Sequence, residues 1–127
     1  MPDEITIELP LPPERLHPNS RLKHFAGLSK LVANARGTAK LLTRQSLPVG
    51  WESLIDRERG VELAMTFYMP RRRDDDNLVA WTKSYRDGVA DALIMSDARF
   101  KTCQPEQVTG KAANGQRKLV IVVRRSE

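Results

Sequence analysis

Three consecutive aspartates, Asp74, Asp75 and Asp76, follow three consecutive arginines in the segment MPRRRDDDNLVAWTK, which spans Met69 to Lys83. Adjacent carboxylates repel one another, so such a run needs an opposite charge nearby. In an extended segment residues two apart point the same way, so Asp74 and Asp76 converge while Asp75 points elsewhere. Two convergent carboxylates are hard oxygen ligands suited to Mg²⁺, which usually keeps several waters and takes one or two protein carboxylates. The run therefore predicts a divalent metal site.

A third carboxylate would complete a metal site of the kind that nucleases use. Asp97 is the best candidate, because it lies in the segment MSDARF just beyond the next helical pattern. The alternative interpretation is purely structural: Asp76 caps a helix, while Asp74 and Asp75 lie in a solvated loop and pair with the preceding arginines. Spacing alone leaves both interpretations open, since two aspartates separated by one residue are a common pattern.

Basic residues give the chain a net charge of +5, with 21 lysines and arginines against 16 aspartates and glutamates. This excess suits a polyanionic partner such as nucleic acid. One candidate surface is the arginine run, and a second is a helical stripe in which basic residues recur every four positions. The predicted DNA contacts on these two surfaces are Arg71, Arg72, Arg73, Arg36, Lys40 and Arg44. The alternative for the stripe is a solvated helix face.

The composition is that of an ordinary globular protein. The 127 residues are 40% hydrophobic and 29% charged, and their number predicts one domain spanning residues 1–127. No apolar run approaches the roughly 18 residues of a membrane span, and the N-terminal segment lacks the basic and apolar regions of a signal peptide. The single cysteine, Cys103, excludes an internal disulfide. We therefore expect a cytoplasmic protein with no membrane partner.

Hydrophobic periodicity predicts an α+β fold. Alternation at 5–9 and at 61–69 predicts two strands, and apolar residues spaced by three and four at 25–42 and 78–93 predict two main helices. An irregular strand is expected after Asp97. The Asn-Gly step that follows predicts a turn and favours a hairpin with the last strand. The predicted order is β-α-β-α-β-β, with a small mixed sheet.

The length of the second helix restricts where Asp97 can lie. One straight helix over residues 77–93 spans about 25 Å at 1.5 Å per residue, and the three residues before Asp97 reach only about 10 Å when extended. Asp97 then cannot reach Asp74 and Asp76 of its own chain. Either the helix breaks near Gly88 and folds back, or two such helices pack antiparallel across a two-fold axis. In a dimer of that kind, each Asp97 lies beside the aspartate pair of the partner subunit.

Residues 71–100 together resemble the signature region of the RusA family, the phage-associated Holliday junction resolvases. That region has basic residues, then Asp-x-Asp-Asn-Leu, a later Asp-Ala-Leu and a final aspartate followed by a hydrophobic position. Here these elements begin at Asp74, at Asp91 and at Asp97. The opening ITIELPLPPE is similar to the family's first strand and its proline-rich end. A joint match over about 30 residues is far more specific than two spaced aspartates.

The resemblance implies a homodimeric endonuclease that resolves branched, four-way DNA junctions by paired symmetric nicks during recombination and repair. It implies Mg²⁺ as the cofactor, with Mn²⁺ as an alternative metal and no small-molecule cofactor. Asp74, Asp76 and Asp97 are then the metal ligands. The competing functions are a DNA-junction binder with weak or lost cleavage, and a basic oligomeric domain whose aspartates only cap and pair.

The family's lysine is where this sequence departs from the pattern. In the best-known form it stands three residues after the asparagine, and Ala80 occupies that position here. The nearest lysine is Lys83, which we assign to electrostatic support of the phosphate or the attacking water. Its alternative is a surface ion pair with Asp87, four residues on. The altered spacing is the main support for binding without cleavage.

Overall fold

The computed structural model describes residues 3–18, 20, 27–55 and 58–125. Their regular structure consists of three α-helices and five strands, which are joined by short 3-10 turns. The strands are β1 (Glu4–Pro10), β2 (Val61–Met69), β3 (Phe100–Thr102), β4 (Glu106–Thr109) and β5 (Lys118–Arg125). The helices are α1 (Leu28–Ser46), α2 (Asp75–Trp81) and α3 (Lys83–Leu93). Along these ranges, no helix combines the length and the apolar character needed to cross a bilayer.

The five strands form one mixed sheet with β2 near its centre. β5 pairs antiparallel with both β1 and β2, whereas β3 and β4 pair parallel with β2. β3 lies beside Val61–Leu63 and β4 beside Thr66–Met69, so together they form one interrupted strand. This is the irregular strand predicted after Asp97, and the predicted α+β class with a small mixed sheet is confirmed. Parallel neighbours need a crossover connection, which α2 and α3 supply.

The predicted hairpin before β5 is wrong, although its turn is present. Asn114 and Gly115 both have positive φ, 51° and 75°, which is the backbone that an Asn-Gly step favours. The strands on either side of this turn do not pair with each other, because β4 and β5 lie on opposite sides of β2. The turn therefore carries the chain across the end of β2.

The hydrophobic core lies between one face of the sheet and the helices. Alternate residues of the strands are buried, as the period of two predicted. The buried strand residues are Ile5, Ile7, Leu9, Val61, Leu63, Met65, Phe67, Met69, Leu119, Ile121 and Val123. The buried residues facing them from α2 and α3 include Leu78, Trp81, Tyr85, Val89 and Leu93. This packing fixes the position of the segment between β2 and α2.

The second helical pattern breaks at Thr82 and not near Gly88. Thr82 has φ −95° and ψ 6°, and its hydroxyl donates to the carbonyl oxygens of Leu78 at 3.2 Å and Val79 at 2.9 Å. A hydroxyl that competes for backbone carbonyls bends a helix. The predicted straight helix over residues 77–93 is therefore two helices.

Gly88 instead allows α1 and α3 to approach closely. A Cβ atom at this position would lie 2.2 Å from the carbonyl oxygen of Arg36 and 2.8 Å from the Cβ of Ala39. Those distances are well below van der Waals contact, so no larger residue fits without movement of the backbone. Gly88 is thus a packing residue inside α3.

Candidate active site

The aspartate run lies at the carboxyl end of β2, where the chain passes from strand to helix. Asp74 has extended backbone dihedrals, φ −62° and ψ 134°, and occupies the N-cap position of α2, while Asp75 and Asp76 form its first turn. The prediction that Asp76 is the N-cap is therefore wrong. The chain is extended only as far as Asp74, so the alternation of an extended segment does not govern where Asp76 points. Carboxylates in a first turn are stabilised by the helix dipole.

Asp75 differs from its two neighbours because its carboxylate already has protein partners. It accepts hydrogen bonds from the side-chain amides of Gln104 at 2.9 Å and Gln107 at 2.8 Å, and these bonds lower the pKa of Asp75. Gln107 also bonds the backbone N–H and carbonyl of Arg73 at 2.9 and 2.7 Å. Asp75 therefore ties the start of α2 to the interrupted edge strand.

The carboxylates of Asp74 and Asp76 are exposed. Neither makes a side-chain hydrogen bond or ion pair with another residue in the described part of the chain. Both are also close in sequence to the carboxyl end of β2, so the fold holds their backbone positions. These two side chains can take a hard cation without breaking an existing contact.

Asp97 lies beside α3. Ile94 ends that helix in the left-handed conformation, with φ 56° and ψ 51°, and turns the chain back. The Nζ atom of Lys83 is 3.5 Å from a carboxylate oxygen of Asp97 and 3.5 Å from one of Asp87. Two of the predicted site residues, Lys83 and Asp97, are therefore brought together. The ion pair between Lys83 and Asp87, predicted as the alternative, is also present.

The carboxyl groups of Asp87 and Asp97 share a hydrogen bond. Burial raises the pKa of Asp87, and the bond to Asp97 raises it further. The same bond lowers the pKa of Asp97, and the Lys83 charge acts in the same direction. When the two carboxyl groups share one proton, these directions place it on Asp87, and Asp97 is then the acceptor. Sequence reasoning treated Asp87 only as a partner for Lys83, and nothing in the one-dimensional pattern indicates its contact with Asp97.

Within one chain, the structure does not assemble the predicted three-aspartate site. Among the described residues, no three Asp, Glu, His or Cys side chains come together as metal ligands. Asp97 returns only as far as Asp87, which agrees with the short reach of the three residues before it. Asp74 and Asp76 lie at the start of α2, whereas Asp97 lies on the flank of α3.

A cavity of about 550 Å³ lies at the same end of the sheet as the aspartate run. It is lined by apolar residues and by four charged ones. The lining residues are Leu11, Pro12, Met69, Pro70, Trp81, Arg71, Arg73, Arg117 and Glu14. The sequence predicted Arg71 and Arg73 as phosphate contacts but missed Arg117 and Glu14, which lie far away along the chain. Arg72 is exposed and does not line this cavity.

Arg73 is held on two sides within this cavity. Its guanidinium carbon lies 4.7 Å from the centre of the Trp81 ring, and its two terminal nitrogens donate to the carboxylate oxygens of Glu14 at 3.2 and 3.1 Å. Trp81 is itself fixed, because its indole N–H donates to the carbonyl of Pro13 at 2.9 Å. The arginine is therefore preorganised by an aromatic ring and a carboxylate.

The basic stripe on α1 has a structural role at one of its three positions. Arg36 donates to both carboxylate oxygens of Asp91 on α3, at 2.6 and 2.8 Å, and these bonds lower the pKa of Asp91. Lys40 is half-buried and Arg44 is exposed. Arg36 therefore joins two helices and is not a free cation.

Comparison with known proteins gives one informative match. An uncharacterized protein of Xylella fastidiosa (strain Temecula1 / ATCC 700964) is 43% identical to this chain over 98 residues. The match covers 75% of the chain and 61% of that protein, so the chain spans less than two thirds of the relative's length. No family model matches the sequence. The resemblance to the RusA family is untested by these comparisons and stays a prediction.

Proposed function

We propose that this protein is a divalent-metal-dependent endodeoxyribonuclease that cuts branched DNA. The observation that supports the proposal is that carboxylates and guanidinium groups lie at the same end of β2. Asp74 and Asp76 offer exposed carboxylates there, and an arginine-lined cavity opens beside them. Carboxylates suit Mg²⁺ or Mn²⁺, and guanidinium groups suit phosphate. Hydrolysis of a phosphodiester uses both.

The donor chemistry at Asp74 and Asp76 fits a hard cation that keeps part of its water shell. When bound, such an ion supplies charge neutralisation at the scissile phosphate and activation of the attacking water. The protein's own contribution is to position the DNA: Arg71 and Arg72 are exposed beside the aspartates and would contact the phosphate backbone without reading sequence. Cleavage specificity then comes from the shape of the branched substrate.

We propose further that Asp97 completes each site from the partner subunit of a homodimer. Within one chain Asp97 lies with Lys83 and Asp87 on the flank of α3, whereas Asp74 and Asp76 stand at the start of α2. A two-fold arrangement of α2 and α3 would bring the Lys83–Asp97 pair of one subunit toward the aspartate pair of the other. Lys83 would then add positive charge near the phosphate. Two symmetric sites suit paired nicks on opposite strands.

The decisive experiment incubates the purified protein with a synthetic four-way junction carrying a label on each strand in turn. We expect paired nicks at symmetric positions in Mg²⁺ or Mn²⁺ and none in EDTA. A linear duplex of the same sequence is the matched substrate control and should be cut far more slowly. Cleavage that continues in EDTA, or that favours the linear duplex, would refute the proposal.

Binding of a junction without cleavage is the second candidate function. One observation favours it: the Asp97 carboxylate is already engaged by Lys83 and by Asp87, so its recruitment to a metal must displace those contacts. Under this alternative, the protein shifts the junction in a gel but yields no nicks in either metal. A protein that neither binds nor cuts the junction would instead have aspartates that only cap and pair.

A further inference from the structure

We infer that the arginine-lined cavity binds one unstacked nucleotide of a DNA strand, with the phosphate on Arg71 and Arg117 and the base against Arg73. The inference rests on the proposed function for its choice of DNA as the partner, and it names the part of the substrate that this cavity takes. A volume of about 550 Å³ lies within the usual range of roughly 300–1,000 Å³ for small-ligand sites. It is larger than a lone phosphate requires.

The fold creates this cavity where three neighbouring strands end together. β1 leads into Leu11 and Pro12, β2 ends at Met69, and β5 begins one residue after Arg117. In the register of the sheet, Pro10 and Tyr68 both lie opposite Lys118. The residues just beyond that row therefore face one another across the end of the sheet, although they are far apart in sequence.

The charges of the cavity favour an anion. Its ionisable lining consists of three arginines and one glutamate, so the positive charges exceed the negative by two. Arg71 and Arg117 are exposed and form no ion pair with any carboxylate in the described part of the chain. A guanidinium group presents its N–H donors as a planar fork that matches two phosphate oxygens. These two side chains are therefore suited to one phosphate group of a strand.

The apolar wall indicates that the ligand also has a flat, weakly polar part. Leu11 and Pro70 form the accessible part of this wall, and the buried Pro12, Met69 and Trp81 lie behind them. One face of the Arg73 guanidinium lies over Trp81, and the Arg73 side chain is still 32% exposed. Unstacked bases bind to the exposed plane of a guanidinium group in this way. The combination of a phosphate fork with a stacking surface matches a nucleotide better than a phosphorylated peptide.

Glu14 occupies the edge of Arg73 that a phosphate could also take. Its carboxylate receives two parallel hydrogen bonds from the guanidinium, which is the geometry arginine uses with phosphate. The Glu14 side chain is 51% exposed, so it can leave Arg73 without uncovering buried surface. Glu14 therefore competes with an anionic ligand and repels it. Removing the Glu14 charge should strengthen binding.

The test measures fluorescence anisotropy of a 5′-fluorescein-labelled tetrathymidylate, with the full protein in EDTA at low salt. An unlabelled tetramer with the same phosphates but abasic sugars competes for binding. We expect the abasic tetramer to bind at least about fivefold more weakly, which is the scale of stacking by one base. The double replacement Arg71→Ala with Arg117→Ala should weaken binding of tetrathymidylate at least about tenfold. Glu14→Gln should strengthen it.

The matched control removes the same charge from the other end of the sheet. Lys101→Ala with Arg124→Ala takes away two cations that both lie opposite Glu62, and binding should change much less than in the cavity double variant. The inference would be overturned if the two double variants lost the same affinity for tetrathymidylate. It would also be overturned if the protein bound the abasic tetramer or a phosphotyrosine peptide as tightly as tetrathymidylate. Unchanged affinity of the Glu14→Gln variant would overturn it as well, and this single charge change tests the cavity even if the double variant fails to fold.

The test is independent of cleavage because it uses an unbranched strand without metal. A protein that binds tetrathymidylate as described, yet never nicks a four-way junction, keeps the nucleotide cavity and loses the proposed nuclease function. A protein that nicks junctions but shows no preference for bases over abasic sugars keeps the function and loses the cavity.

Discussion

Asp74, Asp75 and Asp76 share one side-chain chemistry but have different surroundings. Two glutamine amides hold the carboxylate of Asp75, so its negative charge is compensated by donors from the edge strand. Asp74 and Asp76 face solvent and rely on the helix start for what compensation they receive. A cation that bound Asp74 or Asp76 would relieve the repulsion between carboxylates. A cation that bound Asp75 would first have to break two hydrogen bonds.

Replacement of either exposed aspartate should therefore separate cleavage from binding. We expect Asp74→Asn and Asp76→Asn each to lower junction cleavage by at least about 100-fold, the scale of losing one element of a preorganised electrostatic site. Junction affinity should stay the same or rise, because repulsion of phosphate falls. The measurement pairs a nicking assay in Mg²⁺ with a gel shift in EDTA.

Asp75→Asn is the matched control for these variants. It removes one carboxylate from the same run, but its side-chain carbonyl can still accept a hydrogen bond from a glutamine amide, and we expect it to cleave. Near-normal cleavage by Asp74→Asn or Asp76→Asn would rule out those residues as metal ligands.

The ion pair between Arg36 and Asp91 makes stability depend on pH in a defined direction. Bonds from Arg36 lower the pKa of Asp91, so the pair contributes stability above the unfolded-state pKa, roughly 3.9, and loses it as the pH falls through the folded-state value. Asp91→Asn should thus lower the thermal midpoint at pH 7, and its difference from the wild type should shrink in acid. Glu106→Gln, at an exposed residue of β4, is the control for removal of a surface carboxylate. A constant difference for Asp91→Asn from pH 7 to pH 2 would contradict the assignment.

Sequence reasoning found these residues by chemical type but not by partner. It selected the aspartate run because like charges are crowded there, and it selected the arginine run because cations suit phosphate. It could not foresee that Gln107 would hold Asp75 or that Glu14 would hold Arg73, because 32 and 59 positions separate those partners. Contacts of this kind depend on the register of the strands, which a one-dimensional pattern does not contain.

At the scale of elements, the sequence predicted the strands more accurately than the helices. Alternation of apolar residues predicted β1 and β2, because one face of each strand is buried. The apolar spacing of residues 78–93 continues through Thr82, so it did not indicate the break between α2 and α3. At that break a hydroxyl group bonds backbone carbonyls, and propensity and periodicity do not register such a contact. The hairpin prediction failed for a related reason, since a turn's local geometry does not determine which strands pair.

Two helical glycines should respond in opposite ways to alanine. At Gly88 a new Cβ would meet the backbone of α1 at 2.2 Å, so Gly88→Ala should destabilise the fold by about 1–3 kcal/mol, as overpacking does. At Gly37, in α1, nothing lies within 4 Å of the new atom, so Gly37→Ala should stabilise by about 0.4–1 kcal/mol through the unfolded chain. Urea unfolding of both variants gives the two free energies. A Gly88→Ala variant as stable as the wild type would mean that α1 and α3 do not pack at this point.

At the scale of the whole molecule, the proposed nuclease would need the proposed dimer, because Asp97 lies apart from Asp74 and Asp76 within one chain. The carboxylates lie on opposite sides of the break at Thr82, and Asp97 is already engaged on the flank of α3. In the proposed dimer, the second subunit would supply the missing carboxylate. The same arrangement would put two equivalent sites on one molecule, which is what two symmetric nicks require.

The shared site predicts that two inactive variants restore each other. Asp74→Asn and Asp97→Asn should each be inactive as homodimers, because both sites of each dimer lack one ligand. In a mixed dimer the two lesions fall in the same site if Asp97 acts on the partner subunit, and the other site keeps Asp74, Asp76 and Asp97 intact. Equal amounts of the two variants, refolded together, should therefore regain nicking of a labelled junction at one site per dimer.

The alternative arrangement gives the opposite result. If all three aspartates meet within one chain after a rearrangement of α3, every site in the mixture still carries a lesion and no nicking returns. Differently tagged chains, purified through both tags in turn, establish that mixed dimers have formed and remove the homodimers. Mixed dimers that remain inactive would exclude the shared site. Restored activity that is confined to single nicks would require the shared site, because only one of the two sites in such a dimer is complete.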